Sequence, residues 1–117
     1  LNIENDQTSS NSDVNKLMSF CKMFEHSNRK VGLVNDLGNW IFTKQNVEEV
    51  SKILLPYTRF IHLKSFKLVN GKPETVSFTK GEMDWKKVIA LFNSDLPIGI
   101  EYPTSISELK TDLTHLN

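Results

Sequence analysis

The sequence has a single cysteine, Cys21, so no intrachain disulfide can form, and a reducing compartment fits. It has no excess of charge of either sign: Lys and Arg number 14, Asp and Glu number 14, and the formal net charge is zero. Binding nucleic acid by phosphate neutralisation requires a basic surface, so no nucleic-acid partner is expected. No apolar run approaches the ~20 residues of a membrane span, and no signal peptide opens the chain. No membrane partner is therefore expected, and a cytoplasmic location is the default. Linkers, low-complexity segments and internal repeats are also lacking.

What is present is 117 residues, 38% hydrophobic and 24% charged, enough for one small globular unit with its own core. Leu1 is not a methionine and already lies in an apolar segment, so the natural chain is expected to extend upstream.

Short apolar runs alternate with helix-period segments four times. The runs fall at residues 1–5, 31–36, 60–66 and 98–102. After the first, Ser12 is a candidate N-cap for a helix carrying Val14, Leu17, Met18, Cys21 and Phe24 at helical spacing. After the second, Asn46 with Glu49 opens a helix lined by Val47, Val50, Ile53 and Leu54 and stopped by Pro56. The third is followed by an Asn70-Gly71 turn signal and a small hairpin through residues 75–78, then by Asp84 capping a helix with Trp85, Val88, Ile89 and Phe92. After the fourth, Ser105 and Glu108 form a capping box before Ile106, Leu109, Leu113 and Leu116. Four strand–helix units imply an α/β fold with a parallel sheet and crossover helices.

Side chains alternate between the faces of a strand. One face collects Leu1, Ile3, Val31, Leu33, Ile61, Leu63, Ile98 and Ile100, all aliphatic, as expected where a sheet meets its helices. The other collects Glu4, Asp36, His62 and Glu101, one per strand, each at or near the C-terminal end. In a barrel that face points inward, and the C-terminal rim is where active sites are built. Three carboxylates and an imidazole converging there suit a divalent cation with mixed oxygen and nitrogen ligands, which would offset their mutual repulsion.

The segments Ile3-Glu4-Asn5, Asn35-Asp36-Leu37-Gly38-Asn39-Trp40, His62-Leu63-Lys64 and Ile100-Glu101-Tyr102-Pro103 resemble the last four strands of the xylose-isomerase-like sugar phosphate isomerase/epimerase superfamily. Gly81-Glu82-Met83-Asp84-Trp85 is similar to that superfamily's Gly-x-x-Asp/Asn-Trp before the seventh helix. The resemblance covers essentially the whole chain. It implies the C-terminal half, strands five to eight, of a (β/α)8 TIM barrel. It also implies one divalent metal ion (Mn, Mg, Co or Zn) held by Glu4, Asp36, His62 and Glu101. Glu4 and Glu101 would be the catalytic pair, moving a proton next to a carbonyl of a small carbohydrate through an enediolate. Where many epimerases have a histidine three residues after the strand-six aspartate, this chain has Asn39; where they often have an arginine after strand seven, only Lys64 and Lys67 could supply the charge. These departures leave the sugar open.

Among residues near the rim, Lys64 is either a substrate contact or a charge partner of a carboxylate. Trp40 is either an apolar wall of the sugar site or a loop-packing residue. Asn5 and Asn39 either orient ligands or form turns, with Asn39 counted among the substrate-binding candidates. Phe60 and Trp85 read as packing, Cys21 as core, and His26 and His115 as bystanders.

The same scaffold supports inosose dehydration, which the sequence does not separate from epimerisation. The superfamily's abasic-site endonucleases need further metal-binding histidines, one at the place of Asn39, and a basic groove, and neither is visible. Four parallel strands leave two open sheet edges. The expected cover is the missing N-terminal half of a protein of about 250 residues, in which case the fragment is inactive alone. The rival is a second copy of the chain, closing the barrel as a homodimer.

Overall fold

Each helix begins where a short polar side chain can take the backbone N–H groups that have no partner within the helix. A computed structural model describes all residues, Leu1–Asn117. Helix α2 (Val47–Leu54) is capped by Asn46, whose side chain accepts from the N–H groups of Glu48 and Glu49. Helix α3 (Trp85–Ile89) is capped by Asp84. Ser105 and Glu108 cap α4 (Ile106–Thr114) reciprocally. At α1 (Val14–Met23) the cap is Asp13 and not Ser12. Ser12 is fully buried and donates its hydroxyl to the backbone oxygen of Asp6, closing the preceding loop, so the next residue is left to cap.

Four strands form a parallel sheet in the order of the chain: β1 (Asn2–Glu4), β2 (Gly32–Asp36), β3 (Thr58–Leu63) and, at the far edge, Ile98–Ile100. Helices from all four units pack against one face. Leu33 meets Leu17 of α1 and Val50 and Leu54 of α2 in one cluster. Ile61 and Leu63 meet Phe78, Met83 and Val88, with Ile100, Tyr102 and Leu116 alongside, in the other. A right-handed crossover places its helix on a fixed side of the sheet, so strands added in one direction put every helix on the same side. The opposite face, carrying Glu4, Val34, Phe60 and His62, has no helix over it. This is an α/β fold with a four-stranded parallel sheet, alternating helices and a separate antiparallel hairpin. None of its helices is long and apolar enough to cross a membrane.

The third strand corrects the expected span of residues 60–66. It starts earlier because a bulge at Leu33/Val34 admits Arg59 as an extra residue: Thr58 pairs with Leu33 and Phe60 with Val34. It stops at Leu63 because the chain leaves the sheet as β4 (Ser65–Val69), which pairs antiparallel with β5 (Lys72–Val76). Asn70 (φ 51°) and Gly71 (φ 75°) are both left-handed, the geometry that joins two twisted strands with two residues. The hairpin expected at residues 75–78 therefore lies mostly upstream, and Phe78 is a core residue that meets Trp85 edge-on at 4.9 Å. The last strand of the parallel sheet, β6 (Ile98–Ile100), ends one residue before Glu101.

Helix α4 also departs from its expected face. Ile106 is 76% exposed and Leu113 43%, whereas Asp112 is buried. The inward row is Leu109, Asp112 and Leu116. A carboxylate is tolerated there because three hydroxyls donate to it: Ser77 at 2.7 Å, Thr79 at 2.6 Å and Tyr102 at 2.8 Å.

Candidate metal centre

Parallel strands in register bring their C-terminal ends to one rim. Asp36 pairs with His62, and His62 with Gly99, so residues just past these pairs are neighbours. One ligand atom each from Glu4, Asp36, His62 and Glu101 lies within 4.8 Å of the others. His62 Nδ1 stands among the three carboxylates, 2.7 Å from Glu4 Oε1, 3.5 Å from Glu101 Oε2 and 3.9 Å from Asp36 Oδ2. Protonated, Nδ1 donates to Glu4; deprotonated, its lone pair points into the same space. Phe60 holds the ring from the side, edge-on at 5.5 Å.

Asp36 is the innermost member. Its Oδ1 accepts the N–H of Gly38 at 3.1 Å, and Asn5 fixes its backbone on both sides, accepting from Asp36 N and donating to Asp36 O. Oδ2 is buried and forms an ion pair with the Lys64 ammonium, 2.6 Å away. Burial pushes the Asp36 carboxyl up to about 7; the Lys64 ammonium pulls it down, and the Glu101 carboxylate adds to the rise. Lys64, itself buried, also lies 3.0 Å from Glu101 Oε2. Burial works to lower the Lys64 pKa, but its two carboxylate partners raise it above the ordinary lysine range. For Glu101, partial burial acts upward and is outweighed by Lys64, so the carboxyl sits below its usual range.

Three carboxylates and an imidazole nitrogen brought this close are a group that could hold a hard or borderline divalent cation. The carboxylates of Glu4 and Glu101 are the most open of the four side chains, 40% and 54% exposed. Beside them a cavity of about 470 Å³ is lined by polar residues, Gln7, Thr8, Asn39 and Lys64 among them. A hollow of similar size, about 510 Å³, at the opposite end of the sheet is lined by Cys21, Phe24, Tyr57 and Arg59 and contains none of the four.

The other rim candidates divide. Lys64 is the charge partner of Asp36 and Glu101 and also lines the cavity. Asn39 is nearly buried; it donates to the backbone oxygen of Asn5 and accepts from Gln7, so it braces the loop that carries the site. Trp40 is not a wall of the cavity. It is fully buried, and its indole N–H donates to Asn35 Oδ1 at 2.8 Å while Asn35 donates to Ser51. The ring continues the apolar cluster under β2, and an exposed position on the rim would have cost that burial. Trp40→Phe is expected to lower stability by roughly 1–3 kcal/mol, because a buried acceptor loses its donor. Urea denaturation measures this, and a parallel Mn²⁺ titration should be unchanged; undiminished stability would mean that the indole N–H contributes nothing to the core.

Sequence reasoning missed the group around Asp112. The signal was present: Leu109, Asp112 and Leu116 are spaced as one helix face, with a carboxylate in the middle of it.

No protein-family model matches this sequence, and no curated protein matches it either.

Proposed function

We propose that this chain carries one half of the active site of a divalent-metal-dependent isomerase or epimerase of a small carbohydrate. The observation that carries the reading is the convergence of one ligand atom each from Glu4, Asp36, His62 and Glu101 within 4.8 Å at the C-terminal rim of the sheet. Three carboxylates held this close repel one another unless cations offset their charge.

Mn, Mg, Co or Zn would be held by Glu4, Asp36, His62 and Glu101, and once bound would act as a Lewis acid on an oxygen-rich substrate. Glu4 and Glu101, the two exposed carboxylates beside the polar cavity, would move the proton next to the substrate carbonyl: one removes it, and the other returns it to the enediolate. Asp36 is too deep to meet a substrate and serves only as ligand. Lys64, at the cavity wall, would contact substrate oxygens, and Asn39 would keep the loop in place.

The architecture supports a half-barrel. Strand order follows chain order without a reversal, every helix lies on one face, and β1 and β6 have unpaired edges. Four further βα units, or a second copy of the chain, would close an eight-stranded barrel with the bare face inward. A doubly wound sheet would instead have helices on both faces and a reversal of strand order.

Two measurements test the reading. Protein reconstituted with Mn²⁺ and desalted should retain about one equivalent by elemental analysis, with Glu101→Gln and His62→Ala retaining far less. With the barrel closed, a ketose incubated in D2O should gain deuterium next to its carbonyl. Metal-free protein after reconstitution, or no exchange by a metal-loaded closed barrel across a panel of ketoses, would reject it.

A further inference from the structure

The four ligating groups are not alone at the rim: the chain brings its own cation to them. The Lys64 ammonium lies 2.6 Å from Asp36 Oδ2 and 3.0 Å from Glu101 Oε2. Because Asp36 Oδ1 is committed to the Gly38 N–H, Oδ2 is the oxygen left for a metal, and the ammonium is already beside it. Oxygen ligands stand about 2.0–2.6 Å from a divalent ion, so the two cations contend for one space. The Lys64 stem reaches this position through a gap left by a glycine. A Cβ on Gly38 would lie 2.5 Å from Lys64 Cγ, so any other residue there would push the stem aside. On its other side Lys64 borders the polar cavity of about 470 Å³, which has room for a displaced ammonium.

We propose that Lys64 is the built-in counter-cation of the metal-free site, and that a divalent ion must displace its ammonium from Asp36 and Glu101 into the cavity. Lys64 thereby sets metal affinity, as a positioning and affinity-determining residue. This rests on the reading of Glu4, Asp36, His62 and Glu101 as a metal site. Two consequences follow from charge alone. Removing the ammonium takes away both a competitor in the free state and a like charge close to the bound ion. A flexible four-carbon stem permits the movement without a change of backbone.

The test is calorimetric titration of the full chain with Mn²⁺, comparing the wild type with Lys64→Met and Lys64→Arg. Lys64→Met is expected to bind at least about tenfold more tightly, and Lys64→Arg, which keeps the charge, no more tightly than the wild type. Equal or weaker binding by Lys64→Met overturns the proposal while leaving the metal site standing; no binding by any of the three removes both. Should Lys64→Met fail to fold, the wild type still decides. Reductive methylation followed by peptide mass spectrometry should label Lys64 slowly without metal and several-fold faster with saturating Mn²⁺, and equal labelling in the two states rejects displacement.

Discussion

Asp36→Asn is expected to abolish Mn²⁺ binding while the metal-free chain still folds, with some loss of stability. The asymmetry follows from the two oxygens of the side chain. Oδ1 accepts the Gly38 N–H, and an asparagine at this position keeps that bond by leaving its carbonyl there. Its amide nitrogen then takes the place of Oδ2, presenting hydrogens where the wild type presents a lone pair. A cation finds a donor in place of its most buried ligand. In the metal-free state two effects oppose each other: a neutral amide avoids the desolvation that lifts the Asp36 carboxyl to about 7, but its hydrogens face the Lys64 ammonium in place of an acceptor. The ammonium of Lys64 retains Glu101 as partner. Binding to the native state alone stabilises by about 2.7 kcal/mol at a hundredfold excess of ligand over Kd. For a chain of this size that raises Tm by roughly 10 °C. Differential scanning fluorimetry with and without Mn²⁺ should show that rise in the wild type and none in Asp36→Asn. A shift of equal size in the variant would show that the cation sits elsewhere.

Much of this site was legible because a strand has a period of two. Parity sorted Glu4, Asp36, His62 and Glu101 from the aliphatic residues next to them, and parallel pairing carries that order into space: their ligating atoms lie within 4.8 Å. The strand–helix alternation was legible for the same reason, since period and capping residues are local. What stayed out of reach depends on contacts distant in the sequence. Whether Lys64 faces a substrate or a carboxylate turns on Asp36, in another strand, and Glu101, beyond a third. Trp40 follows Asn39 in a loop, yet the loop turns inward far enough to bury the ring against Asn35. The register of β3 depends on a bulge admitting Arg59, and nothing in the local pattern of residues 58–63 marks an extra residue. Ser12 and Asp13 are both good capping residues, and the choice falls to Asp13 because Ser12 is needed by the backbone of Asp6.

The second large effect is expected far from the rim, at Asp112. Helix α4 has few apolar contacts to hold it, since Ile106 and Leu113 face outward and it is Leu116, just past the helix end, that packs against the core cluster. Asp112 ties the helix to Ser77 and Thr79 after the hairpin and to Tyr102 after the last strand. Asp112→Ala leaves three hydroxyls near the core without their acceptor. Ser77 lies 2.9 Å from Thr79 and within reach of Tyr102, so the hydroxyls can partly satisfy one another, but the acceptor that all three shared is gone. The expected loss is about 3 kcal/mol by urea denaturation, a large part of the 5–15 kcal/mol that holds a typical domain folded. The pH dependence separates lost hydrogen bonds from lost packing. Burial acts to raise the Asp112 pKa, but the Thr79, Ser77 and Tyr102 hydroxyls outweigh it and hold the carboxyl below its ordinary range. A depressed folded-state pKa contributes stability that is complete above the unfolded value, about 3.9, and is lost as pH falls through the lower folded value. The difference between wild type and Asp112→Ala should therefore be constant near neutrality and shrink below about pH 4. A difference that persists undiminished in acid would mean that the carboxylate's charge contributes nothing, and that α4 is held by the shape of its inward face alone.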